Sequence, residues 1–269
     1  MKKKIAILLI ILGLPIYAFF IEPKRLIVSQ EHLSFNQNGS DVKVVQLSDI
    51  HLKKDYSIKS LKRIVEKTNQ LQPDIIVFTG DLFDNYATFG SEIQVEAKQL
   101  LAQLKAPLGK YAVWGNHDYG GGAARVYPEI LAEADFQLLK NTGTLLQLPN
   151  ERSLFIAGVD DSLLGAPEAA TIFAERPAET PTILLSHEPD FADTLLKNQI
   201  RLILSGHSHG GQVKLPFYTI RPPMAKKYYA GMYHLNSETS LYVNTGLGTT
   251  GISARFCVPP TITLFTLTV

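Results

Sequence analysis

Apolar and polar positions along the chain alternate between short, wholly apolar runs and longer amphipathic stretches. Residues 42–47, 74–79 and 110–114 predict three β-strands that are apolar enough to be covered on both faces. After the first of them, Ile58, Leu61, Ile64 and Val65 recur at helical spacing and predict a helix with one buried side. Residues 92–104 predict a second helix, and residues 154–159, 182–185, 202–204, 241–244 and 262–267 predict further strands. Strands interleaved with helices argue for an α/β fold. An Asn-Gly-Ser turn falls within residues 36–41, and no second break follows it. The chain is therefore read as an N-terminal segment (1–25), a linker (26–40) and one catalytic domain (41–269).

The N-terminal segment has its own pattern. Lys2, Lys3 and Lys4 precede an apolar run over residues 5–21, which would reach roughly 25 Å as a helix. This predicts attachment to a membrane by an uncleaved anchor. A cleaved signal segment and a helix lying in the interface are the alternatives. Three lysines before the run against Lys24 and Arg25 after it predict that the catalytic domain is extracytoplasmic.

Composition narrows the function classes. Residues 26–269 hold 21 basic against 24 acidic side chains, so the body lacks the basic excess that binding a phosphate backbone needs, and no nucleic-acid partner is expected. Cys257 is the single cysteine. An internal disulfide and a thiolate cage are both excluded, so any metal must be held by nitrogen and oxygen. No feature predicts an oligomeric state.

The candidate chemistry sits directly after the predicted strands. Ser48-Asp49-Ile50-His51, Gly80-Asp81-Leu82-Phe83-Asp84, Gly115-Asn116-His117-Asp118, Ser186-His187-Glu188 and Gly206-His207-Ser208-His209 each follow an apolar run. Each segment alone reads equally well as a turn, a helix cap or a core histidine. Together they do not, because strand carboxyl ends in an α/β sheet line one crevice where distant residues can converge. Two divalent cations held close together need a bridging anion, and Asp81 is the expected bridge. Asp49, His51 and His209 would complete one metal site, and Asn116, His187 and His207 the other. Such a pair predicts a metal-bridging hydroxide that attacks phosphorus in line. Mixed nitrogen and oxygen ligation favours manganese, with iron, zinc or cobalt as alternatives, over magnesium or calcium.

The ordered series D-x-H, G-D-x-x-D, G-N-H-D, a lone His and G-H-x-H, running from Asp49 to His209, resembles that of the calcineurin-like metallophosphoesterases. The resemblance implies a four-layer αββα sandwich of two mixed sheets and the two-metal arrangement above. It also implies that His117 meets the substrate phosphate and protonates the leaving oxygen, Asn116 lying beside it, with the Asp84 carboxylate orienting His117. Asn85 stands where the serine/threonine phosphatases of that superfamily place an arginine, which counts against protein phosphatase activity. The C-terminal stretch from Asn244-Thr245-Gly246-Leu247-Gly248 to Pro259-Pro260 looks like the small membrane-associated bacterial branch. That branch includes enzymes that cleave UDP-2,3-diacylglucosamine in lipid A assembly. Residues 213–235 gather Phe217, Tyr218, Tyr228, Tyr229 and Tyr233 with Arg221, Lys226 and Lys227, a composition suited to an amphiphilic substrate. Lys226 and Arg255 are candidate substrate contacts. The expectation is a dinuclear-metal hydrolase of phosphodiester or pyrophosphate bonds. A phosphomonoesterase and a catalytically silent metal-binding scaffold are its rivals.

Overall fold

The computed structural model describes residues 13–36, 39–54, 58–149, 152–196 and 198–269. Its elements run β1 (Ile27–Ser34), β2 (Asp41–Leu47), α1 (Ile58–Gln70), β3 (Ile75–Phe78), α2 (Tyr86–Leu101), β4 (Lys110–Ala112), α3 (Asn116–Gly120), α4 (Tyr127–Glu133), β5 (Gln137–Leu138), β6 (Thr142–Gln147), β7 (Ser153–Gly158), α5 (Ala169–Glu175), β8 (Thr182–Leu185), β9 (Leu202–Ser205), β10 (Lys214–Leu215), β11 (Tyr218–Thr219), β12 (Gly231–His234), β13 (Ser240–Val243) and β14 (Thr261–Thr268).

Two six-stranded mixed sheets form, ordered β1-β14-β2-β3-β4-β5 and β12-β13-β9-β8-β7-β6. They stack face to face because alternate strand residues point to opposite sides. Val42, Val44, Ile75 and Val77 of the first sheet meet Ile156, Ile183, Leu185, Leu202 and Leu204 of the second in one buried layer. The outer face of the first sheet, with Val45, Leu47, Ile76 and Phe78, takes Leu61, Ile64 and Val65 of α1 and Ala97, Leu100 and Leu101 of α2. Beyond the second sheet, Phe155, Leu184 and Ile203 pack against Ile172 and Leu195. The result is the expected αββα sandwich.

Three expectations are corrected. Residues 27–34, placed in the linker, form strand β1, which pairs in parallel with β14 along its whole length. The expected anchor over residues 5–21 does not emerge either: its first part, 5–12, lies outside the described residues, and among those described no helix is long and apolar enough to cross a membrane. The described remainder contains a π-helical turn at Tyr17–Ile21 followed by a 3-10 turn at Glu22–Lys24. It docks on the C-terminal loop, where the Ala18 carbonyl accepts from Arg255 N at 2.9 Å and the buried Glu22 carboxylate accepts from Cys257 N at 2.8 Å and Val258 N at 2.6 Å. The extracytoplasmic placement drawn from the flanking lysines is corrected on the same finding.

Candidate metal centre

The inward-facing positions of the central strands change character at their carboxyl ends. After Val42 and Val44 comes Gln46, and after Ile75 and Val77 comes Thr79. Gln46 Nε2 donates to Thr79 Oγ1 at 3.1 Å and, across the sandwich, to the Ser205 carbonyl at 2.9 Å. Thr79 Oγ1 in turn donates to Ser48 Oγ at 2.6 Å, and the Ser48 hydroxyl donates to Asp49. This polar end joins the two sheets and carries the loops that follow β2, β3, β4, β8 and β9.

Those loops bring together all seven residues expected to hold metal. Five of them have left-handed backbone: Asp49 (φ 50°), His51 (46°), Asp81 (62°), His207 (66°) and His209 (50°). Each such non-glycine conformation costs about 1 kcal/mol or more, and it persists only where the surroundings enforce it. The glycines that introduce the motifs allow close approach. A Cβ on Gly206 would overlap Ser48 Oγ and Asp49 Oδ2, and one on Gly115 would overlap Asp81 Oδ1.

Asp81 lies at the middle of the cluster. Its Oδ2 is 3.3 Å from His51 Nε2 and 3.3 Å from His187 Nε2, while its Oδ1 accepts from His117 N at 2.8 Å. On one side, His209 Nε2 is 3.0 Å from His51 Nε2 and 3.5 Å from Asp49 Oδ1. On the other, Asn116 Oδ1 is 2.9 Å from His207 Nδ1 and 3.2 Å from His187 Nε2. Neighbouring donors on an ion with bonds of about 2.1 Å stand roughly 3.0 to 3.4 Å apart, so this nitrogen and oxygen set fits two divalent cations. Asp49, His51 and His209 converge as one group, and Asp49, Asp81 and His187 as another. The far nitrogens of two imidazoles are also pinned: His187 Nδ1 lies 2.6 Å from the Thr79 carbonyl and His207 Nε2 2.8 Å from the Pro223 carbonyl. Each of these can therefore donate to its carbonyl and present the other nitrogen inward.

Protonation follows from this packing. Burial tends to raise the carboxyls, but the surrounding histidines outweigh it and hold Asp49 below its usual range and Asp81 well below. Burial likewise opposes charge on the imidazoles, yet the carboxylates beside His51 and His187 push both well above their ordinary value. Burial dominates at His207 and His209, which are pushed down, His209 strongly so. Protons on His51 and His187 thus balance the charge that cations would otherwise balance.

Other expected residues fall differently. Asp84 was expected to orient His117 through its carboxylate. Instead its backbone carbonyl lies 2.7 Å from His117 Nδ1, while Oδ1 sits 3.2 Å from His51 Nδ1 and Oδ2 lies 3.9 Å from Lys53 Nζ. Arg255 is fully buried and donates to the carbonyls of Thr245, Gly248 and Val258. It is a brace under the last loop rather than a substrate contact. Lys226 is exposed and does not line the cleft over the centre. Asp118, to which no role was given, accepts from Asp81 N at 2.8 Å, Leu82 N at 3.0 Å and Gly115 N at 3.0 Å, joining two of the ligand loops. Burial and the Asp81 charge push its carboxyl up to about 7. Its place at the end of Gly115-Asn116-His117-Asp118 was the available signal.

A cleft of about 500 Å³ opens above the cluster. Asp81, Asn116, His117, His207 and His209 line it below, and Leu163, Val213, Ile220, Pro222, Pro223 and Ile252 line its walls. The aromatic residues of 213–235 divide: Phe217 and Tyr218 are exposed on the β10–β11 hairpin, whereas Tyr228 is buried against the second sheet.

Comparison with known proteins agrees with this geometry. A family model described as calcineurin-like phosphoesterase matches residues 42–211. The chain is 40% identical over 257 residues to the Bacillus subtilis metallophosphoesterase YkuE, covering 93% of this chain and 88% of that protein. It is 28% identical over 308 residues to the UDP-2,3-diacylglucosamine pyrophosphatase LpxG of Chlamydia trachomatis, covering 93% and 91%. Among solved structures, the NAD nucleotidase of Haemophilus influenzae superposes with a TM-score of 0.50 at 12% identity, over 76% of this chain and 45% of that one, which is a likeness of fold.

Proposed function

The chain belongs to the calcineurin-like phosphoesterase family and is a metal-dependent phosphoesterase, and from that premise we propose that it hydrolyses phosphodiester or pyrophosphate bonds in a substrate with an apolar portion. The observation that carries the reading is the cleft, whose polar floor is the ligand cluster and whose walls are apolar. A phosphomonoester offers one small leaving group and a dianionic phosphate. A diester or pyrophosphate carries a substituent on each side of the bond, and one of them can lie along Leu163, Ile220 and Ile252. The pyrophosphatase relative, named for a diacylated sugar nucleotide, supports a lipid-linked example of that class.

In this reading Asp49, His51 and His209 would hold one ion, Asn116, His187 and His207 would hold the other, and Asp81 would serve both. When bound, divalent ions, with manganese the preferred candidate, supply Lewis acidity and a nucleophile at neutral pH. The protein's own groups do the rest. His117, held at Nδ1 by the Asp84 carbonyl, offers Nε2 to the cleft as the general acid for the leaving oxygen. Asn116, whose Oδ1 faces His187 and His207, lines the cleft, where its amide nitrogen would be available to the substrate phosphate, and the apolar walls keep bulk water from the reacting bond.

Rates on bis-p-nitrophenyl phosphate and p-nitrophenyl phosphate, measured on the full chain with manganese and with chelator, test this. The diester is expected to react faster, and chelator to abolish both activities. A faster monoester would replace the reading with a phosphomonoesterase, and turnover indifferent to chelator would remove the metal from the chemistry.

A further inference from the structure

A second cavity, of about 670 Å³, lies beside the first, behind the strip of chain that contains residues 249–253. Thr249 and Ser253 line the second cavity, while Thr250 and Ile252 line the first. Its remaining walls come from two segments, with Phe19, Phe20, Pro23 and Lys24 on one side and Lys53, Lys59, Ser60 and Arg63 on the other. Among the described residues, four cationic side chains border this space and no carboxylate does, Lys53 also facing Asp84 Oδ2 at 3.9 Å from behind. Like charges gathered around one concavity repel each other, and walls of low dielectric such as Phe19 and Phe20 intensify the field inside it. Lys59 and Ser60 lie in the first turn of α1, with Arg63 one turn on, so the positive end of the helix dipole adds to the same sign. The pocket is built rather than incidental: Arg63 Nη2 donates to the Lys24 carbonyl at 3.1 Å, and Lys53 Nζ to the Thr249 carbonyl at 2.8 Å, tying all three segments together.

We propose that this pocket binds a phosphate group other than the one undergoing hydrolysis, held by Lys24, Lys59 and Arg63 with Lys53 at its floor. The phosphate can be a free anion, or it can be part of an amphiphile whose apolar portion rests on Phe19 and Phe20. Both sources present the same tetrahedral dianion to the cations.

Calorimetric titration of the metal-loaded full chain with inorganic phosphate, and with dihexanoyl phosphatidate below its micellar concentration, tests the site. The double variant Lys59→Gln with Arg63→Gln changes two exposed helix positions, and its fold is checked by circular dichroism because it also gives up the Arg63 bond to the Lys24 carbonyl. It is expected to weaken this binding at least tenfold while the rate on bis-p-nitrophenyl phosphate stays within twofold. Asp81→Asn, which disables the metal centre, is expected to leave the binding in place. Equal affinity for the two probes assigns a free phosphate. A tenfold preference for phosphatidate that disappears in Phe20→Ser assigns an amphiphile. The proposal is overturned if neither probe binds, or if the double variant binds both as the parent does.

Discussion

The two halves of the proposed metal centre are built from similar parts with different charge. Asp49, His51 and His209 form a half in which every residue is buried, with a carboxylate of its own. Asn116, His187 and His207 form a half whose oxygen donor is a neutral amide and which lends Asn116 and His207 to the cleft, where the first half lends His209 alone. Each half pairs an imidazole pushed up by neighbouring carboxylates with one pushed down by burial: His51 with His209, and His187 with His207. The second half thus has no carboxylate of its own and shares Asp81, with Asp49 also converging on His187. This contrast predicts that the first half is the better anchor for an ion and the second the better place for exchange with substrate.

Asp81→Asn attacks what the halves share and should have the largest effect. Removing the bridging charge leaves the second half with only Asp49, shared with the first half, as a nearby anion, and loss of metal from both halves is expected together with a fall in rate of about a thousandfold or more. Metal content by atomic absorption, read beside turnover, checks this. A variant that keeps both ions and full activity would refute the bridging role.

Stepwise chelation at several pH values separates the halves. The ion of the second half should leave first, because its site carries less negative charge. Proton competition should act on both alike. His51 and His187 have raised pKa values, so each holds a proton at neutral pH that an entering cation must expel. Affinity should therefore fall as pH falls, by about tenfold per pH unit for each ion. His207 and His209 are held low and already neutral, so they add nothing to that slope. Two ions that leave together, or affinities that rise toward acid, would contradict the comparison.

The metal centre was more legible in sequence than the edges of the fold. Each candidate segment follows a buried apolar strand, and the strand end fixes where its first residues emerge, so their convergence could be expected before any coordinates. Strand β1 escaped notice because its half-buried, alternating pattern gains meaning only from pairing with β14, more than two hundred positions away. The apolar run 5–21 has the composition of a membrane segment. What decides the course of its described end is a buried acceptor, Glu22, binding two backbone N–H groups of the last loop. Asp84 marks the finest limit. Its position in the motif places the residue beside His117 and His51, but whether carbonyl or carboxylate faces a given ring depends on backbone direction, which residue identity does not encode.

That limit sets the smallest of the expected effects. The Asp84 carboxylate touches the first half alone, 3.2 Å from His51 Nδ1, where it favours the tautomer that presents Nε2 to Asp49, Asp81 and His209. Asp84→Asn keeps the backbone carbonyl on His117 Nδ1 and an amide oxygen near His51, removing only charge. Weakening of the first ion by about tenfold is expected, the low end of what losing such a supporting partner costs. The ion of the second half should be unaffected, and so should the limb of the pH–rate profile that reports the general acid. A shifted acid limb with unchanged metal affinity would mean that the carboxylate serves His117 after all. In that event Asp84 would support the acid, and the contrast between the halves would rest on Asp49 against Asn116 alone.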